Sequence, residues 1–133
     1  MLMNTSFDEA AIRAAIDAFA GGEMLIVTDD GGRENEGDLV LAAAHCTPEK
    51  MAFIVLHTSG IVCTPMTAEL ARRFDLAPMV ARNDAPHATA FTVSIDYRHG
   101  TTTGISADDR TLTVRNLANA NCVFRRSRPC IPT

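Results

Sequence analysis

Residues 23–44, EMLIVTDDGGRENEGDLVLAAA, decide the fold: two aliphatic runs, MLIVT and LVLAAA, flank the polar stretch GGRENEGD at residues 31–38. Such runs a few residues apart predict two strands, and a hairpin between them needs only a couple of turn residues such as Asn-Gly or Asp-Gly. GGRENEGD carries far more, namely Arg33 and the carboxylates Glu34, Glu36 and Asp38. Successive residues of an extended chain point to opposite sides, so these carboxylates share one face if the backbone stays extended. Held together they repel, and a divalent cation or a cationic side chain relieves the repulsion. Hard oxygen donors suit Mg²⁺ or Mn²⁺, and Mg²⁺ typically takes only one or two carboxylates plus water and substrate oxygens. Arg33 can neutralise charge or fork onto a phosphate. A polar hairpin turn with a surface ion pair accounts for the same residues, and spacing alone does not separate the two readings.

Upstream, Ser6-Phe7-Asp8-Glu9 has capping-box spacing ahead of Ala10, Ile12, Ile16 and Phe19 at helical intervals, which predicts a helix ending at Gly21-Gly22. EMLIVTD then reads as a buried strand and DLVLAAA as its partner. Downstream, Thr47-Pro48-Glu49 opens a helix with Thr as N-cap, Pro at the first helical position and Glu favourable to the dipole. SGIVCTPM predicts a short strand, TAELARRFDL a short helix, ARNDAPHAT a loop and AFTVSID a strand. RHGTTTG is a second loop, and Ser106 with Asp109 makes another capping box for a final helix. Strands and helices without strict βαβ alternation imply an α+β domain, a mixed sheet with surrounding helices. From Asn119 the text NANCVFRRSRPCIPT loses periodicity and reads as a frayed tail, so residues 1–119 form the domain and 120–133 an irregular extension.

A chain of 133 residues, 47% hydrophobic and 21% charged, suits one globular domain with a single core. Its net charge of -4 argues against nucleic acid or anionic membrane as partner, because phosphate backbones are bound by clustered Lys and Arg. No apolar run approaches a membrane span, and the N-terminus lacks the basic and apolar regions of a signal peptide, so a cytoplasmic location is expected. The cysteines Cys46, Cys63, Cys122 and Cys130 show no CxxC spacing and no interleaved His, which points to reduced, unpaired thiols.

GTTTGISADDR, residues 100–110, runs from a Gly- and Thr-rich loop into a helix N-terminus, where backbone N–H groups, hydroxyls and the dipole favour an anion such as a phosphate. Ser106 with Asp109 is also simply a good cap. His57-Thr58-Ser59-Gly60-Ile61-Val62-Cys63 gathers a His, two hydroxyls and a thiol around a tight turn. A catalytic Cys needs a nearby base and an electropositive setting; Cys63 within IVC reads rather as a small buried side chain near a pocket. His45, His87 and His99 have no partner at ligand spacing.

RENEGDL, TSGIVC, HATAFTVSID and TTTGISADDRTLTVR, in that order, resemble 3,4-dihydroxy-2-butanone 4-phosphate synthase, and the likeness runs from about Phe7 to Asn119. The resemblance implies a Mg²⁺- or Mn²⁺-dependent lyase of riboflavin biosynthesis that converts D-ribulose 5-phosphate into L-3,4-dihydroxybutan-2-one 4-phosphate and formate, with its sites at a homodimer interface. By position it makes Glu34 a metal ligand and, with Glu36, catalytic; Arg33, Glu34, Asp38, Cys63 and Thr103 would contact substrate. Enolisation and rearrangement of a sugar phosphate need a Lewis acid on the oxygens and carboxylates to move protons. An alternative within the same resemblance is a non-catalytic fragment that binds ligand or pairs with an intact subunit.

Two departures stand out. The family usually has Arg where this chain has Leu56. After the helix the family continues into Phe-x-Arg-Pro-Gly-His-Val-Phe-Pro-Leu and on to a second metal-binding His and a catalytic Glu, none of which has a counterpart here. One permitted codon choice for Ser127 to Thr133, TCC CGG CCA TGT ATT CCC ACT, spells Pro-Gly-His-Val-Phe-Pro-Leu when its first base is dropped. A one-base insertion after Arg126 is therefore expected, and with it a truncated chain without activity of its own.

Overall fold

The computed structural model describes residues 8–29, 32, 36–58, 61–84 and 89–119, and the backbone of 124–126. The chain divides into two compact units, Met1–Cys46 and Thr47–Thr133.

In the first unit, α1 spans Glu9–Ala20 and ends at Gly21, near the predicted stop. Its N-cap is Asp8, whose carboxylate accepts from the N–H groups of Ala10 and Ala11 at 3.1 and 3.2 Å. This corrects the expected cap at Ser6, which lies outside the described residues; Asp is as good an acceptor for orphan N–H groups as Ser and sits next to the first helical residue. Strands β1 (Leu25–Thr28) and β2 (Gly37–Val40) pair antiparallel, with Leu25 opposite Val40 and Thr28 opposite Gly37. The expected hairpin is present, but β1 is not buried: Ile26 and Val27 are 74% and 51% exposed. They project from opposite faces, and a ribbon of two strands covers neither face by itself. DLVLAAA stops being strand at Val40 and turns into a 3₁₀ helix at Ala43–His45. Gly22, at φ +89°, lies so close to the His45 ring that a Cβ there would collide with it.

The second unit opens with α2 (Pro48–His57), capped by Thr47, whose hydroxyl accepts from the Lys50 N–H at 3.3 Å. Helix α3 (Ala68–Arg73) is capped by Thr67. Residues 61–67 adopt no regular structure, so the expected strand SGIVCTPM does not form there; Ser59 and Gly60 lie outside the described residues. AFTVSID contributes only β3, Ile95–Tyr97, with Thr92 in an isolated bridge to Pro78. Strand β3 pairs antiparallel with β4, Phe124–Arg126, through the register Ile95–Arg126 and Tyr97–Phe124. Part of the extension read as irregular is thus a strand, because its pairing partner lies far upstream where local periodicity carries no sign of it.

Helix α4 (Ala107–Leu117) packs against α2 and β3. Its buried residues are Asp109, Thr111, Thr113 and Leu117, of which Asp109, Thr113 and Leu117 follow one another at four-residue spacing along one face. That face is largely polar, and its groups are bonded: the Thr113 hydroxyl donates to the Asp109 carbonyl and accepts the Tyr97 N–H, each at 3.0 Å. Helix and strand are joined through a side chain that neither apolar periodicity nor propensity marks.

The α+β class holds, with the described strands forming two separate antiparallel pairs instead of one mixed sheet. Among the described residues the buried hydrophobic ones are Cys46, Met51, Leu76 and Leu117, whereas twelve large hydrophobic side chains are exposed, an imbalance that leaves apolar surface of these residues without cover. No helix among the described residues is long and apolar enough to cross a membrane.

Candidate functional site

The carboxylate stretch sits where the β1–β2 ribbon opens. Arg33 and Glu34 lie outside the described residues. Asp29 and Glu36 close the loop between them: the Asp29 N–H donates to the Glu36 carbonyl at 3.3 Å, and the Glu36 N–H donates to Asp29 Oδ1 at 3.0 Å. The second bond goes to the Asp29 side chain and not to its carbonyl, so the regular ladder ends at Gly37, with Glu36 just before β2 and Asp38 within it. Both are exposed. Exposed carboxylates of this kind form a hard donor set that fits Mg²⁺ or Mn²⁺ and not a thiophilic metal. Among the described residues no group of three or more His, Cys, Asp or Glu side chains is assembled for a metal.

Cys63 and Thr103 belong to the second unit. Cys63 is a free thiol and is exposed, which corrects the reading of a small buried side chain; the segment around it is irregular and packs into no sheet. His57 is engaged with Phe53, one helical turn earlier, with ring centroids 4.3 Å apart.

The loop before α4 is organised by a residue that sequence reading treated only as half of a cap. Asp109, 5% exposed, turns its carboxylate away from its own helix end and into the loop. Oδ1 accepts the Thr102 N–H at 3.0 Å; Oδ2 accepts the Thr102 hydroxyl at 2.8 Å and the Gly104 N–H at 2.9 Å. The Thr102 N–H does most to hold the Asp109 carboxyl below the usual carboxylate range; burial opposes it, while the Thr102 hydroxyl and the Gly104 and Thr103 N–H groups assist. Ser106 does cap the helix, its Oγ accepting the Asp109 N–H at 3.0 Å. Only that half of the expected capping box forms.

The anion-binding reading of this loop is corrected accordingly. Consecutive N–H groups do converge on an anion, as in a backbone nest, but that anion is the chain's own Asp109. Gly104 is held at φ +78°, with the Asp96 carboxylate occupying the space that a Cβ would take, so the turn requires glycine. The Thr101 hydroxyl donates to the Tyr97 carbonyl at 2.7 Å. Thr103 is exposed. The signal that could have revealed Asp109 is its position in TTTGISADD, close enough to the Thr-Gly turn for a short acidic side chain to reach back.

These features describe an α+β protein with an acidic ribbon mouth and a self-anchored threonine loop. The family model for 3,4-dihydroxy-2-butanone 4-phosphate synthase matches residues 13–129, and the chain belongs to that family. It is 54% identical over 110 residues to the synthase of Candida albicans, covering 83% of this chain and 54% of that protein. It is 52% identical over 110 residues to the synthase of Schizosaccharomyces pombe, again 83% and 54%. A crystal structure of 3,4-dihydroxy-2-butanone 4-phosphate synthase in complex with two magnesium ions superposes with a TM-score of 0.84 at 50% identity, over 86% of this chain and 55% of that one. The chain spans about half the length of these relatives.

Proposed function

We propose that this chain carries one part of the site of a riboflavin-biosynthesis lyase that converts D-ribulose 5-phosphate to L-3,4-dihydroxybutan-2-one 4-phosphate and formate, and that it does not turn over substrate alone. The observation that carries the reading is the family match across residues 13–129, a stretch that contains Arg33, Glu34, Glu36, Asp38, Cys63 and Thr103. Glu34 would hold Mg²⁺ or Mn²⁺, which when bound supplies a Lewis acid for the sugar oxygens. Glu36 would move a proton, Arg33 and Asp38 would orient the phosphosugar, and Cys63 and Thr103 would be further substrate contacts. In the intact family such sites are expected in a cytoplasmic homodimer.

The reading includes the change of frame after Arg126. It rests on the codon string for Ser127 to Thr133, which spells the family's text when its first base is dropped. Formate release from ribulose 5-phosphate with Mg²⁺ tests it: the 133-residue chain should give none above background, and a protein expressed after deleting one base in codon 127 should give formate. Normal turnover by the present chain, or coding DNA incompatible with the shifted string, overturns the corresponding part.

A second reading, a non-catalytic fragment that pairs with an intact subunit, is favoured by the exposed apolar side chains, Leu56 at 78% and Ile61 at 87% among them. Co-expression with the Candida albicans synthase should then recover both chains through a tag on either; recovery of the tagged chain alone removes this reading.

A further inference from the structure

We propose that Asp109 is a positioning residue for ligand binding: its buried carboxylate shapes the loop so that Thr103 alone, among three consecutive threonines, offers its hydroxyl to substrate. Given the synthase reading, this assigns to Asp109 a role that its place inside a helix does not suggest.

The loop's polar groups account for the inference one by one. The hydroxyl of Thr101 is held by the Tyr97 carbonyl and that of Thr102 by Asp109. The N–H groups of Thr102 and Gly104 are bonded to the same carboxylate, and that of Thr103 faces it. Thr103 is exposed, and its hydroxyl makes no hydrogen bond among the described residues. It is bracketed on both sides by residues fixed to Asp109. Two attachments flanking one residue determine its backbone orientation, and a carboxylate accepting several N–H and O–H bonds in a 5% exposed position holds them more firmly than a neutral acceptor. Gly104, pinned between Asp96 and Asp109, completes the turn. The one hydroxyl left available is neutral and both donor and acceptor, which suits a sugar hydroxyl or carbonyl oxygen more than a phosphate facing a nearby carboxylate.

The test follows amide resonances of the full 133-residue chain on addition of ribulose 5-phosphate with Mg²⁺. Thr103 should shift. Asp109→Asn should weaken apparent affinity by at least about tenfold, with the resonances of residues 107–117 still those of a helix. Thr103→Ala should match that loss and Thr103→Ser should restore binding, which a merely structural role would not produce. Thr102→Val, which removes a single donor to Asp109, should weaken binding about threefold and decides the matter if Asp109→Asn unfolds the chain. Wild-type affinity in both Asp109→Asn and Thr102→Val overturns the proposal. Shifts at Glu36 and Asp38 with Thr103 silent overturn it while leaving the synthase reading intact; no shift anywhere also overturns it, while the synthase reading stands or falls by the formate assay.

Discussion

Met51→Ala should destabilise the second unit by about 2–5 kcal/mol, the range for removing a long apolar side chain from a packed core, and abolish its cooperative unfolding. Met51 is 2% exposed on α2, the helix packed against α4. In this unit its buried hydrophobic companions among the described residues are Leu76 and Leu117. Whole domains are stable by only about 5–15 kcal/mol, so a loss of this size is a large fraction of the total. Leu56→Ala on the same helix, at a 78% exposed position, should change stability by less than about 0.5 kcal/mol. Urea titration followed by circular dichroism measures both. Equal midpoints for the two variants would show that α2 does not supply the core.

Acid should loosen the second unit through Asp109. Its folded carboxyl titrates below the usual range, chiefly because the Thr102 N–H donates to it, with further help from the Thr102 hydroxyl and the Gly104 and Thr103 N–H groups against the opposing effect of burial. The unfolded chain therefore binds a proton at a pH where the folded chain does not, and stability rises with pH across that interval. The contribution is fully present above the unfolded pKa, about 3.9, and is lost as pH falls through the lower folded value. Glu49, lowered first by its hydrogen bond with Thr47, acts in the same direction from the start of α2. Thermal midpoints should be level from pH 7 to about pH 5 and fall below about pH 4. Asp109→Asn should start lower and fall less steeply, and Glu49→Gln should retain most of the slope. An unchanged slope in Asp109→Asn would remove Asp109 as the cause.

What could be read from sequence was what local chemistry decides. Thr47, Thr67 and Ser106 cap their helices because a hydroxyl reaches an N–H three residues on, a relation contained within one turn. The β1–β2 hairpin is equally local, and so are its apolar runs. What escaped depends on distant partners. β3 takes its pairing from β4, well downstream in the chain, and the text around Ile95 gives no hint of that partner. Residues 61–67 have the composition of a strand and no ladder to join. Cys63 came out exposed, because burial belongs to packing and not to composition.

In the proposed role the loop before α4 would act as a filter for polarity. A bare nest would welcome any small anion. With Asp109 already seated, an approaching phosphoryl group meets negative charge backed by saturated donors. On the proposed role of Thr103, a ligand carrying charge at one end and hydroxyls at the other would be admitted in one orientation, hydroxyl end towards Thr103. The chain has installed a permanent occupant where a competitor would otherwise bind, and in doing so has given the loop a sense of direction.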